Sequence, residues 1–396
     1  MSGFTLKHSL LRGLGLSTCV AFALGIPGIP ALAQGSGLSV DSFSADFSAM
    51  AALKPLVAHG KGKIGVLLPE TTTSARYASF DTPYLKKSFA MAGMPADDVF
   101  ITNAQGSEAT ELTQAQADIS QGATVLLMDP ISSGVGASIE TYAKSRGVKV
   151  IDYDRLTLGG SRDFYVSFDN VKVGKLIGEG MVACLKDWNV AKPQLLVMRG
   201  APTDNNATLF AEGYNSVLQP YFASGKFVKV GEPAGTWDPS VALTTFQEQF
   251  TAHSNINAVV MPNDDVANAV VSYLRTLRVP PRRFPVTGQD ATLTGMQNVL
   301  SGYQCGSVYK PIYLEAQAAA ALAIYLRAGE EPSKALVNGT TMDTTTKQPV
   351  PSVLLTPIWV TPKNMAATVV KDGFVPAAKL CAGGLSADCK AAGITP

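Results

Sequence analysis

The chain has 396 residues, of which 46% are hydrophobic and 16% charged, so it is long enough for two globular domains that each bury a core. Lys and Arg together number 32 against 31 Asp and Glu, which gives a formal net charge of +1 at pH 7. This near-neutral balance, without a basic run, gives no support for nucleic-acid binding, and we predict no nucleic-acid partner. A small uncharged ligand is compatible with the composition.

Residues 1–33 have the pattern of a cleaved signal peptide. Lys7 and Arg12 form a basic start, an apolar segment follows at 14–29, and Ala31-Leu32-Ala33 supplies small residues at the cleavage position. A membrane anchor is the alternative, but glycines and prolines interrupt the apolar segment and disfavour a spanning helix. We therefore predict export across the inner membrane and cleavage after Ala33.

Cleavage would remove Cys19 and leave four cysteines, an even number in an exported protein. Cys381 and Cys389 lie eight residues apart and could close a local loop, in which case Cys184 and Cys305 would pair across the fold. Neither spacing suits a metal site, which would need C-x-x-C or nearby histidines. The chain has only 3 His, which disfavours a histidine-ligated metal site or a Ser-His-Asp catalytic triad. We predict no metal and no cofactor.

Short apolar runs alternate with helical patterns, as expected for an α/β fold with doubly wound parallel sheets. In the first half we predict strands at 63–68, 99–101, 124–128, 148–151 and 164–168, and helices at 80–91, 108–121 and 138–145. In the second half we predict strands at 194–198, 227–230, 258–261, 284–286, 306–309 and 351–360, and helices at 171–187, 207–221, 240–252, 266–277, 292–300 and 313–328. Two series of similar length predict two similar lobes, although no sequence repeat relates them.

Polar or aromatic side chains follow most of the predicted strands. Because open α/β sheets bind ligands at the carboxyl ends of their strands, we expect these side chains to line one cleft. These strand-end residues are Arg76, Tyr77, Asp154, Arg155, Asp204, Asn205, Asn206, Trp237, Asp238, Asn263, Asp264, Gln289, Asp290 and Lys310. Each has a structural alternative when taken singly. Asp204 and Asp264 could cap helices, Asp154-Arg155 could be a local ion pair, and Trp237 could pack between the lobes.

These residue types suit a sugar. Carboxylate and amide oxygens accept hydrogen bonds from hydroxyl groups, and Arg, Lys and Asn donate to ring and hydroxyl oxygens. Hydrogen bonds with a charged partner contribute about 1.5–3 kcal/mol each, so a few of them support micromolar binding. Tyr77 and Trp237 could stack on the apolar face of a pyranose. A phosphate is disfavoured, because no glycine-rich phosphate loop follows the first strand.

With these residues in place, the chain resembles the type I periplasmic sugar-binding proteins of ABC transporters, and most closely the xylose-binding subfamily. The matching motifs are Y-D-R at 153–155, D-F-Y-V-S-F-D-N at 163–170, D-N-N-A at 204–207, N-D at 263–264, G-Q-D at 288–290, V-Y-K-P-I at 308–312 and L-L-T-P-I at 354–358. They run in order across residues 63–374.

The resemblance implies two lobes joined by a three-stranded hinge that closes around a monosaccharide. It implies a monomeric periplasmic receptor that serves an ABC permease and is not an enzyme. It also implies that the sugar contacts Arg76, Arg155, Asp204, Asn206, Trp237, Asn263, Asp290 and Lys310. Together with Tyr77 and Asp154, these are the ten residues of the predicted site. The expected division is a signal peptide at 1–33, an N-terminal arm at 34–60, an N-terminal lobe at 61–167 plus 312–354, a C-terminal lobe at 168–311 plus 355–375, and a tail at 376–396.

Two departures leave the sugar open among xylose, glucose, galactose and arabinose. Tyr77 stands where the xylose-binding proteins have a larger aromatic residue, and Thr71–Ser74 replace acidic residues of their first loop. The calcium loop of the galactose-binding and glucose-binding proteins is missing, which agrees with the prediction of no metal.

Two further classes of protein are alternatives to a receptor. An exported carbohydrate-active enzyme could use a pair of cleft carboxylates such as Asp204 and Asp290, but their Arg, Lys and Asn neighbours favour ionised acceptors over an acid–base pair. A repressor core would need a helix-turn-helix where the signal peptide stands. We therefore favour a receptor.

Overall fold

The structure is a computed structural model that describes residues 37–71, 74 and 76–395. The predicted signal peptide and its cleavage site lie outside the described residues. The strands are β1 Lys63–Leu68, β2 Val99–Asn103, β3 Ala123–Met128, β4 Lys149–Tyr153, β5 Phe164–Phe168, β6 Gln194–Val197, β7 Val228–Gly231, β8 Ala258–Val260, β9 Ser307–Tyr309, β10 Gly339–Asp343, β11 Gln348–Leu355 and β12 Ile358–Val360. The helices are α1 Lys54–His59, α2 Thr82–Met91, α3 Glu108–Ser120, α4 Ser133–Ser145, α5 Asn170–Asp187, α6 Asn205–Ala223, α7 Pro239–Ala252, α8 Asp264–Thr276, α9 Leu293–Leu300, α10 Ile312–Ala328, α11 Ala377–Leu380 and α12 Ser386–Ala391.

The first lobe is built on a seven-stranded sheet in the order β10-β11-β5-β4-β3-β1-β2, parallel except for β10. Helices cover both of its faces, which is why β1 is a nearly continuous apolar run instead of an alternating one. Alternate residues of the strands enter two separate cores. Ile64 and Val125 pack with α2 and α10, whereas Leu67 and Leu126 pack with α3 and α4.

The second lobe contains a parallel sheet in the order β7-β6-β8 and an antiparallel pair formed by β9 and β12. Two isolated parallel bridges, Val259 with Val286 and Gln289 with Val308, continue the pairing between them. Helices α5 and α6 pack closely because Gly174 lets the backbone at Phe210 approach. A Cβ atom at Gly174 would lie 2.1 Å from the Phe210 carbonyl oxygen.

The chain passes between the two lobes three times: from β5 to α5, from β9 to α10, and from β11 to β12. The prediction of two α/β lobes joined by three crossing strands is therefore confirmed. The described residues belong to one compact unit. None of the described helices combines the length and apolar character needed to cross a membrane.

The prediction of one strand at 351–360 is wrong. It is two strands, β11 in the first lobe and β12 in the second, separated at Thr356-Pro357. Pro357 has no N–H to donate to a ladder, and it lies at the point where the chain leaves one sheet and joins the other. The prediction of a strand at 284–286 is also wrong, since only Val286 forms a bridge. Strand β10 was not predicted, because its exposed edge carries a weak polar pattern.

Helix α4 begins at Ser133, five residues before the predicted start at 138. The side chain of Ser132 caps it by accepting a hydrogen bond from the Val135 backbone N–H. Two glycines in the first turn hide the helical pattern in the sequence. One of them, Gly136, is required by packing, since a Cβ atom there would lie 2.4 Å from Thr157 Oγ1.

The segments before and after the two lobes are part of their cores. The arm at 34–60 was expected to be peripheral, but Phe47, Met50 and Leu53 are at most 1% exposed and pack in the first lobe. In the tail, Leu380 and Ile394 are buried in the second lobe. The structure contains both of the disulfides considered above, Cys184–Cys305 and Cys381–Cys389.

Candidate functional site

Between the lobes lies a small cavity, with about 340 Å³ of space free of protein atoms when the part open to solvent is included. All ten residues predicted from the sequence line it. Three further residues complete the wall: Ser74, Phe210 and Gln289. The structure thus brings the predicted site together, while its contact with a ligand remains a prediction.

Asp154 is the central acceptor of the cavity. Its Oδ1 lies 2.9 Å from Arg76 Nη1 and 3.6 Å from Lys310 Nζ, and its Oδ2 accepts a hydrogen bond from the Tyr77 hydroxyl at 3.2 Å. Burial alone would raise the pKa of Asp154, but Arg76, Lys310 and Arg155 together hold it below its ordinary value. Asp154 is therefore an ionised acceptor at neutral pH.

The backbone at Asp154 is also special. Its φ is 58°, in the left-handed region that Asp and Asn tolerate better than most residues. Its carbonyl oxygen accepts hydrogen bonds from the Tyr165 hydroxyl at 2.8 Å, the Ser167 hydroxyl at 2.9 Å and Asn206 Nδ2 at 3.0 Å. Three donors on one carbonyl hold this turn in place, and one of them belongs to the second lobe.

Arg76 is held by three buried carboxylates. Its Nε and Nη2 donate to Asp81, Nη2 also donates to Glu315 at 2.8 Å, and Nη1 donates to Asp154. These bonds use four of the five N–H groups of a guanidinium, which leaves one for a ligand. Burial, with Arg76 opposing it, raises the pKa of Glu315 to about 8. Asp81 and Glu315 thus fix the Arg76 guanidinium, which in turn holds Asp154.

Arg155 connects the two lobes. Its Nε lies 3.2 Å from Asp204 Oδ2 in the second lobe and 3.6 Å from Asp129 Oδ1 in the first. The same Asp204 oxygen accepts a hydrogen bond from Trp237 Nε1 at 3.1 Å. The structural alternative for Asp204 is therefore correct without removing this residue from the cavity, whereas Trp237 packs within the second lobe and not between the lobes. Asp204 Oδ1 caps α6 at the Asn206 backbone N–H, and Trp237 packs edge-on against Phe210.

Lys310 lies on the crossing from β9 to α10 and touches a carboxylate of each lobe. Its Nζ is 3.6 Å from Asp154 Oδ1 and 3.2 Å from Asp290 Oδ1. Burial alone would lower the pKa of Lys310, but these two carboxylates raise it above its ordinary value. The Asp290 contact is an ion pair without hydrogen-bond geometry, so Asp290 Oδ1 keeps its capacity to accept a hydrogen bond.

Helix α8 begins differently from the expectation. Its cap is Asn263, whose side chain accepts a hydrogen bond from the Val266 backbone N–H at 3.1 Å, and not Asp264. Asp264 is buried and accepts hydrogen bonds from Gln304 and Ser307. It is a structural residue of the second lobe and does not line the cavity.

Four residues of the site were not predicted from the sequence. Phe210 lies one helical turn after Asn206 on α6, a spacing that could have revealed it. Gln289 is one of the strand-end residues named above but not one of the ten. Ser74 carries no local signal. Asp129 directly follows β3 and is fully buried behind Arg155, and burial raises its pKa well above its ordinary value.

The cavity residues are paired acid with base, which does not favour the glycosidase alternative. The pKa of Asp204 is raised by burial, against the opposing effect of Arg155. Asp204 and Asp290 each face a cation, Arg155 and Lys310 respectively. A general acid must be free to donate its proton to the substrate, but both oxygens of Asp204 already accept hydrogen bonds, from the Asn206 backbone N–H and from Trp237 Nε1. In the described part of the chain no group of three or more His, Cys, Asp or Glu could hold a metal ion.

Two α/β lobes joined by three crossings, with a charged cavity between them, define the class of type I periplasmic binding proteins. A family model described as a periplasmic binding protein domain matches residues 64–331 of this chain, which belongs to that family. The chain is 37% identical over 325 residues to the D-xylose-binding periplasmic protein of Escherichia coli, an alignment that covers 81% of this chain and 94% of that protein. It is 36% identical over 280 residues to the D-xylose-binding periplasmic protein of Haemophilus influenzae, covering 70% and 80% of the two chains.

Solved structures agree with this assignment. A carbohydrate transporter solute binding protein from Chloroflexus aurantiacus, in complex with D-glucose, superposes with a TM-score of 0.70 at 28% identity and covers 80% of this chain and 97% of that one. An ABC transporter solute binding protein from Clostridium phytofermentans with bound β-D-glucose gives a TM-score of 0.71 at 26% identity, with 80% and 99% coverage.

Proposed function

We propose that this protein is the periplasmic substrate-binding protein of an ABC transporter, that it binds a xylose-like aldose between its lobes, and that it delivers the sugar to a membrane permease. The family membership supports the transport role. The relatives named for D-xylose and the similar structures with glucose support a monosaccharide. In this proposal all ten predicted residues contact or surround the sugar, and the protein is a monomer that performs no covalent chemistry.

One observation carries the ligand class. Three buried polar atoms on the cavity wall have no hydrogen-bond partner among the described residues: Arg155 Nε, Gln289 Oε1 and Asp290 Oδ1. Buried polar atoms in proteins are nearly always satisfied, so a ligand that both donates and accepts hydrogen bonds fits them. Neighbouring sugar hydroxyl groups do both. The donor comes from the first lobe and the two acceptors from the second, so one sugar would bridge the lobes.

The energetics suffice for a receptor. Micromolar affinity corresponds to about 8 kcal/mol. Two charge-assisted hydrogen bonds at roughly 1.5–3 kcal/mol each, to Arg155 and Asp290, and a neutral one of about 1 kcal/mol to Gln289 supply about half of it or more. The indole of Trp237 adds an apolar surface for a pyranose ring. Because the contacts come from both lobes, they form fully only when the lobes are closed, so the sugar favours the closed state by its differential affinity. The permease then recognises that closed state.

The test is isothermal titration of the mature protein, from Gln34 onward, refolded to remove any copurified sugar. D-xylose, D-glucose, D-galactose and L-arabinose form the panel. We expect a low-micromolar or tighter Kd for one of them, a stoichiometry near one, and unchanged sugar on recovery. Titrations without heat across the panel, by protein shown to be folded, would refute the monosaccharide proposal. Recovery of a chemically altered sugar would instead favour the enzyme alternative.

A matched pair of variants localises the binding. Arg155→Met removes a buried donor of the cavity and should weaken binding about 100-fold. This factor corresponds to the loss of one charge-assisted hydrogen bond whose free energy is near the upper end of the usual range. Arg199→Met removes an arginine whose side chain is 38% exposed and should leave the Kd unchanged. For the delivery step, uptake of the labelled sugar should fall when the gene is deleted from its bacterium and return with the wild-type gene but not with Arg155→Met.

A further inference from the structure

The crossing that carries Lys310 is held from its outer side by one carboxylate. Asp372 Oδ2 accepts a hydrogen bond from the Tyr309 hydroxyl at 3.1 Å and from the Tyr313 hydroxyl at 3.0 Å. Tyr309 ends β9 and Tyr313 lies in the first turn of α10, so the two bonds span the crossing on either side of Lys310. Asp372 itself does not line the cavity.

Phe374, two residues further on, connects the same segment to the first lobe. Its ring stacks on Phe80 with centroids 4.0 Å apart and planes 14° apart, and it also packs on Tyr309 at 4.9 Å. Phe80 belongs to the turn Tyr77–Asp81, which begins with the cavity residue Tyr77. The pair Asp372 and Phe374, here called the clamp, therefore contacts two segments that carry cavity residues.

The clamp is itself anchored. Phe374 is 3% exposed, and the chain continues from it directly into the tail, whose Cys381–Cys389 disulfide is buried in the second lobe. Gln297 of α9 also donates a hydrogen bond to the tail at the Lys379 carbonyl oxygen, 3.1 Å away. A fixed support of this kind is what a long, flexible lysine side chain needs if its ammonium group is to be held within hydrogen-bond reach of a ligand.

We propose that Asp372 is a positioning residue for Lys310: by holding Tyr309 and Tyr313 it fixes the crossing so that the Lys310 ammonium lies between Asp154 and Asp290. The inference rests on the proposed sugar-binding function and adds a residue outside the cavity that sets its affinity. Asp372 acts through the backbone of the crossing and does not contact the sugar.

The first experiment is a double-mutant cycle on the Kd for D-xylose, with D-glucose as the second probe. Asp372→Ala removes the acceptor of both tyrosine hydrogen bonds and should raise the Kd about tenfold. Asp372→Asn keeps an acceptor oxygen, so its Kd should stay within about threefold of the wild-type value. In a Lys310→Met background, Asp372→Ala should cost less than about twofold, because the group it positions is gone. The control, Asp98→Ala, breaks an ion pair with Arg327 in the first lobe and should not change the Kd.

An equal effect of Asp372→Ala with and without Lys310 would overturn the proposal and show that Asp372 acts on closure or stability in general. Wild-type affinity for Asp372→Ala would overturn it as well.

A second experiment needs no sugar and so separates this inference from the proposed function. In sugar-free protein, brief acetylation followed by mass spectrometry should modify Lys310, which is 3% exposed, more slowly than the exposed Lys363. Asp372→Ala should raise the Lys310 rate several-fold, and Asp98→Ala should not. If wild type binds no sugar but this rate changes, the sugar proposal fails and the positioning role stands. An unchanged rate overturns the positioning role whatever the sugar result.

Discussion

Replacing Asp154 by Asn removes one negative charge from the centre of the cavity and turns one of its two acceptor oxygens into a donor. Asn is nearly the same size and tolerates the left-handed φ of 58° at this position, so the change isolates electrostatics from backbone strain. Breaking a buried ion pair by removing one partner costs about 3–5 kcal/mol, because the other charge is left uncompensated. Here Arg76 retains Asp81, and Lys310 retains Asp290. We therefore expect Asp154→Asn to lower the free energy of unfolding by about 3 kcal/mol, the lower end of that range.

The pH dependence gives a second signature of Asp154→Asn. The folded-state pKa of Asp154 lies below its ordinary value of 3.8. A depressed pKa contributes stability that is present above the unfolded-state value and is lost as the pH falls through the folded-state value. The stability difference between wild type and Asp154→Asn should thus be constant from neutral pH down to about 5 and shrink below about 4.

The assay is urea unfolding followed by tryptophan fluorescence, at pH 7 and at intervals down to pH 3.5. The control is Glu232→Gln, which removes the charge of a surface ion pair between Lys229 and Glu232, whose side chains are 36% and 21% exposed respectively. It should lower the free energy of unfolding by less than about 1 kcal/mol. An Asp154→Asn variant within about 1 kcal/mol of wild type at pH 7 would refute the buried, ionised Asp154. Its sugar affinity should also fall about 10-fold to 100-fold, through loss of one charged acceptor.

Three further predictions test other parts of the structure. Burial raises the pKa of Glu111 from 4.5 to about 7, so the contribution of this group to stability is lost as the pH rises through about 7. In wild type this loss should lower the free energy of unfolding by about 3 kcal/mol between pH 4 and pH 8, measured by urea unfolding. Glu111→Gln should remove this pH-dependent loss. A Cβ atom at Gly200 would lie 2.2 Å from the Trp237 ring, so Gly200→Ala should displace the indole. We expect sugar binding to weaken at least tenfold while the far-ultraviolet circular dichroism spectrum stays unchanged. An unchanged Kd would show that Trp237 does not contribute to sugar binding. Replacing Cys184 and Cys305 by Ser removes a disulfide between residues 121 positions apart and should lower the free energy of unfolding by about 5 kcal/mol. A decrease of less than about 1 kcal/mol would contradict the pairing.

The structure also shows why structural alternatives and site roles need not exclude each other. Asp204 caps α6 with one oxygen and presents the other to Arg155 and Trp237. Asn263 caps α8 and lines the cavity as well. A residue at the start of a helix that follows a strand lies at the ligand-binding edge of the sheet by geometry. Both roles therefore fall on the same side chain.

The sequence alone determined the α/β class, most of the elements and the ten predicted residues that line the cavity. These are local properties: buried parallel strands read as apolar runs such as Lys63–Leu68, and the residues after them must lie at one edge of a sheet. It misjudged 351–360, because a strand that changes sheets at a proline looks the same in sequence as one that continues.

Only the tertiary structure decided which charges meet. Arg76 finds its three carboxylates 5, 78 and 239 residues away, and Asp372 reaches tyrosines 63 and 59 residues away. No local pattern encodes such distances, because they depend on how two sheets and three crossings pack together. The same packing places Phe374 on Phe80 and buries Asp129 behind Arg155. Periodicity specifies which face of an element is buried, whereas the partner of a buried charge is set by whatever element the fold brings against it.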